Sequence, residues 1–208
     1  KGCAQDVAKE TVKLMQDDIK GLILDLTDNG GGSMEEAVKL AGLFIDRGPI
    51  SIVADNKKQL SIINDPYKGV IYKGPIVIII NGNSASASEF FADIMQDYNR
   101  AILIGSTSLG KASMQTIMPL EKNDDQHFVK LTVSKFYRIT GKSHQAIGVI
   151  PDVQIPTIYQ DVFQKESDFP TALKNENLNS RIRFTPYVGN DLIESLAQKS
   201  RDRVAQDP

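Results

Sequence analysis

Pro75-Ile76-Val77-Ile78-Ile79-Ile80-Asn81-Gly82-Asn83-Ser84-Ala85-Ser86-Ala87-Ser88-Glu89 is the stretch whose reading decides the fold. Its first six residues are apolar and mostly β-branched, which by length and composition predicts a buried strand. Asn81-Gly82-Asn83 breaks that strand. From Ser86 onward Phe90, Phe91, Ile94 and Met95 fall on one face of a helix reaching Tyr98. The same order occurs earlier in the chain. Gly21-Leu22-Ile23-Leu24-Asp25-Leu26 reads as a short buried strand and ends in Thr27-Asp28-Asn29-Gly30-Gly31-Gly32. Ser33, with Glu36 three residues on, is a capping box that opens a helix through about Asp46. Strands alternating with helices in this way predict an α/β layer with some parallel pairing.

Working outward, the apolar residues between Ala4 and Asp18 recur at helical spacing, residues 49–54 and 101–104 read as strands, and residues 55–74 are polar and turn-rich. Residues 105–110 read as a loop. From Gln115 the pattern turns to strand, and residues 128–137 alternate apolar and polar with one slip near Val129. Two short extended pieces bounded by prolines follow, at 148–152 and 153–156. This strand-rich second half argues against a purely doubly wound sheet. Composition becomes more polar after Thr157, and residues 191–204 read as a helix. The expected organisation is a core over 1–156 and a partly helical extension over 157–208.

The 208 residues are 41% hydrophobic and 24% charged, the ordinary balance of a globular protein. A net charge of −2 gives no electrostatic case for nucleic acid or an anionic membrane. No apolar run approaches the ~18 residues needed to span a bilayer. Lys1 opens the chain without a methionine, so a segment of a longer protein is expected. Cys3, the only cysteine, excludes an internal disulfide and a multi-cysteine metal site, and it reads as a small apolar residue.

Two loops follow buried strands and lead into helices, where N–H groups without partners carry partial positive charge and can hold an oxyanion. The glycine run at 30–32 fits either a tight turn or such a donor. It matches neither a GxxxxGK[ST] nor a GxGxxG phosphate loop. Of Ser84, Ser86 and Ser88, one is expected to cap the helix, and the GxSxG elbow is absent. A serine nucleophile needs a base. The two histidines, His127 and His144, lie in a polar loop and a turn-like segment without an acid pattern that favours a triad. A lysine is the remaining option. Its ordinary pKa near ~10.4 falls by several units on desolvation. Lys111 follows the loop 105–110, where a side chain can turn inward; any single lysine fits a solvated surface position equally.

Taken together these stretches resemble the C-terminal processing, or tail-specific, proteases, closest to the bacterial tail-specific branch. The resemblance runs from about Gly21 to Pro156. It is carried by Leu24-Asp25-Leu26-Thr27-Asp28-Asn29-Gly30-Gly31-Gly32, Tyr72-Lys73-Gly74-Pro75, Ser84-Ala85-Ser86-Ala87-Ser88-Glu89, Met95-Gln96-Asp97-Tyr98, Gly110-Lys111 and Gly148-Val149-Ile150-Pro151-Asp152, in that order. It implies a crotonase/ClpP-like layered core with repeated strand–helix units. It implies Ser86, three residues before Glu89, as nucleophile, and Lys111, 25 residues on (86 + 25 = 111), as base. Gln115, one helical turn after the lysine, would orient it. The N–H groups of Ala87 and Gly32, with Gly31 as second choice, would form the oxyanion hole. Thr27 and Ala112 depart from the family pattern at positions not expected to take part in chemistry.

The resemblance further implies a protein or peptide substrate with an apolar C-terminal tail, no metal or cofactor, no nucleic acid, and a periplasmic or otherwise extracytoplasmic place in the bacterial envelope. Relatives carry a PDZ domain ahead of the core, for which this chain has no room. Two alternatives stand beside this reading. Non-proteolytic relatives share the fold, so a peptide-binding module is one. Acyl transfer on a crotonase-type fold is the other, and the chain lacks the basic phosphate pocket it would need.

Overall fold

The computed structural model describes residues 2–122, 126–159, 162–187 and 191–206. Two four-stranded sheets form its frame. The first comprises β1 (Leu22–Asp25), β4 (Ile76–Ile80), β5 (Ile102–Gly105) and β8 (Val153–Gln154), all parallel and in that order. In the second, β3 (Leu60–Asp65), β2 (Gly48–Asp55), β7 (Phe128–Arg138) and β6 (Ser113–Pro119) run antiparallel in that order. The helices are α1 (Cys3–Leu14), α2 (Met34–Gly42), α3 (Ala87–Asp97) and α4 (Asp191–Val204). The chain is therefore mixed α/β, with parallel strand–helix units first and a strand-rich segment after them.

Register follows from the apolar runs. Leu24 pairs with Ile78 and Ile78 with Leu103, placing Ile78, Ile80 and Leu103 in the core at 1% exposure or less. Helix α3 is buried over Ala87–Met95, with Phe90, Phe91, Ile94 and Met95 each at 2% or less. Phe91 meets Phe44 edge-on at 6.4 Å, and Phe90 meets Phe136 at 5.3 Å, which joins the two sheets through α3. Arg100 is an internal strut. Its guanidinium donates to the carbonyls of Phe44, Tyr72 and Gly74 at 2.6–3.0 Å.

Three expectations need correction. Helix α2 ends at Gly42, not Asp46, and Phe44 and Ile45 turn down into the core. A Cβ at Gly42 would lie 2.9 Å from the Asp65 carboxylate, so the helix ends where it touches β3. Ser33 caps α2 by accepting from Glu36 N at 3.3 Å, but the Glu36 carboxylate reaches Ala4 N at 3.1 Å and so ties α1 to α2. The polar stretch 55–74 contains β3. As an edge strand it leaves Leu60 and Ile62 at least half exposed, so no alternation marks it. Cys3 is exposed on the first turn of α1. No described helix is long and apolar enough to cross a membrane.

Candidate active site

Strands β1 and β4 are parallel neighbours, so the loops after them emerge side by side. They are stitched together by polar side chains. Asp28 accepts from Asn81 and Asn83 at 3.0 and 2.8 Å, and these two bonds hold its carboxyl below the ordinary carboxylate range. Ser84 Oγ donates to Leu26 O at 2.7 Å, Ala85 N to Asn29 O at 3.0 Å, and Ser88 Oγ to Asn29 Oδ1 at 2.9 Å. Ser84 and Ser88 are thereby occupied in scaffolding.

Ser86 sits at the N-cap of α3 with φ 58° and ψ −114°, a region a side chain enters only when its surroundings hold it there. Its backbone N–H donates to Glu89 Oε2 at 2.7 Å. Gly31, at φ +88°, lies directly on this elbow. A Cβ at position 31 would stand 2.5 Å from Ala85 O, 2.6 Å from Ala87 N and 3.0 Å from Ser86 Cβ. The Gly31 N–H is taken by Asn29 Oδ1 at 3.0 Å. Among the described residues, the N–H groups of Gly32 and Ala87 meet no acceptor, and a Cβ at Gly32 would touch nothing within 4 Å.

Lys111 approaches from the other side. Gly110 N and Lys111 N donate to Glu89 at 2.6 and 2.9 Å, and Ser108 Oγ does so at 2.5 Å. One wholly buried side chain, Glu89, thus receives the backbone of both the nucleophile candidate and the base candidate. Lys111 Nζ donates to Gln115 Oε1 at 3.1 Å. The four-residue spacing is spanned by loop and strand rather than by a helical turn. Lys111 precedes β6, and Gln115 stands past a register shift between Met114 and Gln115. Gly31, Gly32, Ser86, Ala87, Lys111 and Gln115 all line one cleft of about 540 Å³, which also receives Met34, Met114 and Phe136.

Behind the cleft lies a buried charge cluster that the sequence did not reveal. His144 Nδ1 meets Asp93 Oδ2 at 2.6 Å, and its Nε2 lies 3.8 Å from Glu89 Oε2, so the ring faces α3 rather than Ser86. Burial opposes the charged imidazole, but Asp93 and Glu89 outweigh it and lift its pKa above the ordinary 6.5. Arg138 holds Asp97 through two guanidinium nitrogens and stands 3.2 Å from Asp93. Glu89, Asp93 and Asp97 recur every fourth residue on α3, a stripe that ordinarily faces solvent. Residues 138–145 cover Asp93 and Asp97, and Ser108, Gly110 and Lys111 cover Glu89.

Residues 2–155 match the model of peptidase family S41. The chain is 37% identical to the tail-specific protease of Haemophilus influenzae over its whole length and 35% identical, over 82% of its length, to the carboxy-terminal-processing protease of Bartonella bacilliformis. It spans only 31% and 38% of those two relatives. Among solved structures it resembles a photosystem II D1 C-terminal processing protease, with a TM-score of 0.65 and 31% identity over 73% of this chain and 39% of that one. This family match, together with an arrangement in which two strand-end loops and the head of β6 share one cleft, establishes that the chain belongs to peptidase family S41.

Proposed function

We propose that this chain carries the catalytic core of a serine endopeptidase that cleaves protein substrates near their C-terminus through an acyl-enzyme. In this reading Lys111, in its unprotonated form and oriented by Gln115, takes the proton from Ser86 Oγ as that oxygen bonds to the scissile carbonyl carbon. The N–H groups of Ala87 and Gly32 receive the oxyanion. Collapse breaks the C–N bond, and Lys111 returns the proton to the leaving amine. Lys111 then deprotonates a water that hydrolyses the ester and restores Ser86.

The observation that carries this reading is the Glu89 bridge. A single buried side chain fixes Ser86 N and Lys111 N within one cleft in which Lys111 Nζ already rests on Gln115. Met34, Met114 and Phe136 on the cleft walls support an apolar preference in the substrate tail. The parallel sheet with its strand–helix units supports a crotonase/ClpP-like assignment of the layered core. An extracytoplasmic, periplasmic setting belongs to the same reading and rests on the resemblance to the bacterial tail-specific branch.

The test is labelling by a serine-reactive probe together with peptide cleavage, comparing the wild type with Ser86→Ala and Lys111→Ala. Wild-type labelling at Ser86 and a loss of about 10³-fold or more in kcat for both variants are expected. A wild type that binds tailed peptides but neither labels nor cleaves them would instead make the domain a peptide-binding module.

A further inference from the structure

Among the described residues, 157–187 contain one turn of 3₁₀ helix, Glu166–Asp168, and no strand. They are nevertheless hydrogen-bonded to the core at Glu166 and again over residues 175–180. Glu166 N donates to Leu109 O at 3.0 Å, Leu178 N to Gly141 O at 2.8 Å, and Ser180 Oγ to Ile139 O at 2.6 Å. Asn177 Oδ1 accepts from Ser143 N at 3.0 Å. The Asn175 amide donates to both Ser143 O and Gln145 O at 2.8 Å. This strap therefore lies over residues 139–145 and fixes their path.

That path leads to the lysine loop. Gln145 is 1% exposed, and its Oε1 accepts from Ala112 N at 2.8 Å. The next residue, Ala146, donates its N–H to Gly110 O at 2.7 Å. The other end of the Gln145 amide points back to the strap, with Nε2 3.4 Å from Glu166 Oε1. The peptide units around Lys111 are thus held from two directions. Glu89, on the helix of Ser86, takes the N–H groups of Gly110 and Lys111. Gln145, on the strap side, takes the N–H of Ala112, which is buried and has no water to turn to.

We propose that Gln145 is a positioning residue for Lys111, and that the strap, through Asn175 and Glu166, is the element that sets Gln145 in place. The proposal rests on the reading of Lys111 as the base. It gives the C-terminal segment a part in the chemistry without any contact with substrate. A displacement of about 1 Å at a reacting group costs on the order of 10²-fold in rate. Loss of this support is therefore expected to lower kcat and leave KM nearly unchanged.

The experiment uses the full-length protein and three variants. Gln145→Met keeps the shape and removes both hydrogen bonds. Asn175→Ala removes the strap's hold from a distance. Gln145→Glu combined with Glu166→Gln exchanges amide and carboxylate, keeping an acceptor for Ala112 N and a hydrogen bond between positions 145 and 166. Kinetics per titrated active site are read beside amide hydrogen exchange at 108–112. Expected are faster exchange there in Gln145→Met and Asn175→Ala, with exchange in β4 and β5 unchanged. In those two variants kcat falls about 10- to 100-fold at constant KM, and the exchanged pair recovers most of it. Unchanged exchange at 108–112 in Gln145→Met overturns the proposal. So does wild-type kcat per titrated site in variants that have only lost thermal stability. Should the wild type neither cleave nor label Ser86, the peptidase reading fails, and the exchange data alone decide whether Gln145 holds the loop.

Discussion

A side chain at position 31 has nowhere to go, because Ala85 O and Ala87 N stand within 2.6 Å of where its Cβ would be. Position 32, one residue on, is open. This asymmetry separates the two glycines experimentally. Gly31→Ala must push the loop off the Ser86 elbow and disturb the space in front of Ala87 N, and a loss of about 10²- to 10³-fold in kcat is expected, the scale of one missing oxyanion donor. Gly32→Ala retains its N–H and meets nothing, so kcat within a few-fold of wild type is expected. Both are checked by kcat and KM on one peptide. A reversed pattern would move the oxyanion donor away from Gly32. At the same scale, Glu89→Gln replaces one of two accepting oxygens by an NH₂ group that must face N–H donors. Each buried mismatch costs about 1–3 kcal/mol, so a lowered urea midpoint and slower Ser86 labelling are expected together.

Among the elements, those that position the site were legible because their signals are local. The apolar run 76–80 and the broken segments after it dictate strand, loop and helix wherever they occur, and α4 lies at the residues its pattern indicated. What was not legible depends on covering segments far along the chain. Strand β3 shows no alternation because it is an exposed edge. The acid stripe of α3 reads as a wet face because Arg138 and His144 arrive 40 to 50 residues later. The Gly148–Asp152 motif is a related case, since its meaning is structural. Asp152 accepts from Leu103 N and from Gln96 Nε2, both at 2.8 Å, which ties β5, α3 and the approach to β8 together. Asp152→Asn leaves one of those donors facing an NH₂ group. A stability loss of about 1–3 kcal/mol is expected in urea unfolding, with the rate of Ser86 labelling in the folded protein unchanged. Slower labelling at full stability would give Asp152 a part in the site instead.

At the scale of the whole molecule, the segment 138–145, which the strap holds from outside, closes over Asp93 and Asp97 of the α3 acid stripe, and charge there links folding to pH. The groups facing His144 are Asp93 and Glu89 from α3 and the backbone of Lys111, with Arg138 from β7 sharing Asp93, and the Phe136 ring lies edge-on at 5.4 Å. The folded-state pKa of His144 is raised above 6.5, so the native chain binds this proton more tightly than the unfolded chain does. The stability gained is fully present below the unfolded value and is lost as pH rises through the folded one. Thermal unfolding followed by circular dichroism should therefore show a melting temperature that declines as pH increases from about 6.5 into the alkaline range. His144→Gln, which keeps a donor for Asp93 but carries no charge, should remove most of that slope and lower the melting temperature on the acid side. The same deprotonation withdraws a positive charge from beside Glu89, the side chain that joins Ser86 to Lys111. Loosening should therefore appear at 108–112 in hydrogen exchange before global unfolding does. A wild-type melting temperature that is flat or rises across this range would mean that His144 is not charged against Asp93, and that Arg138 alone balances the stripe.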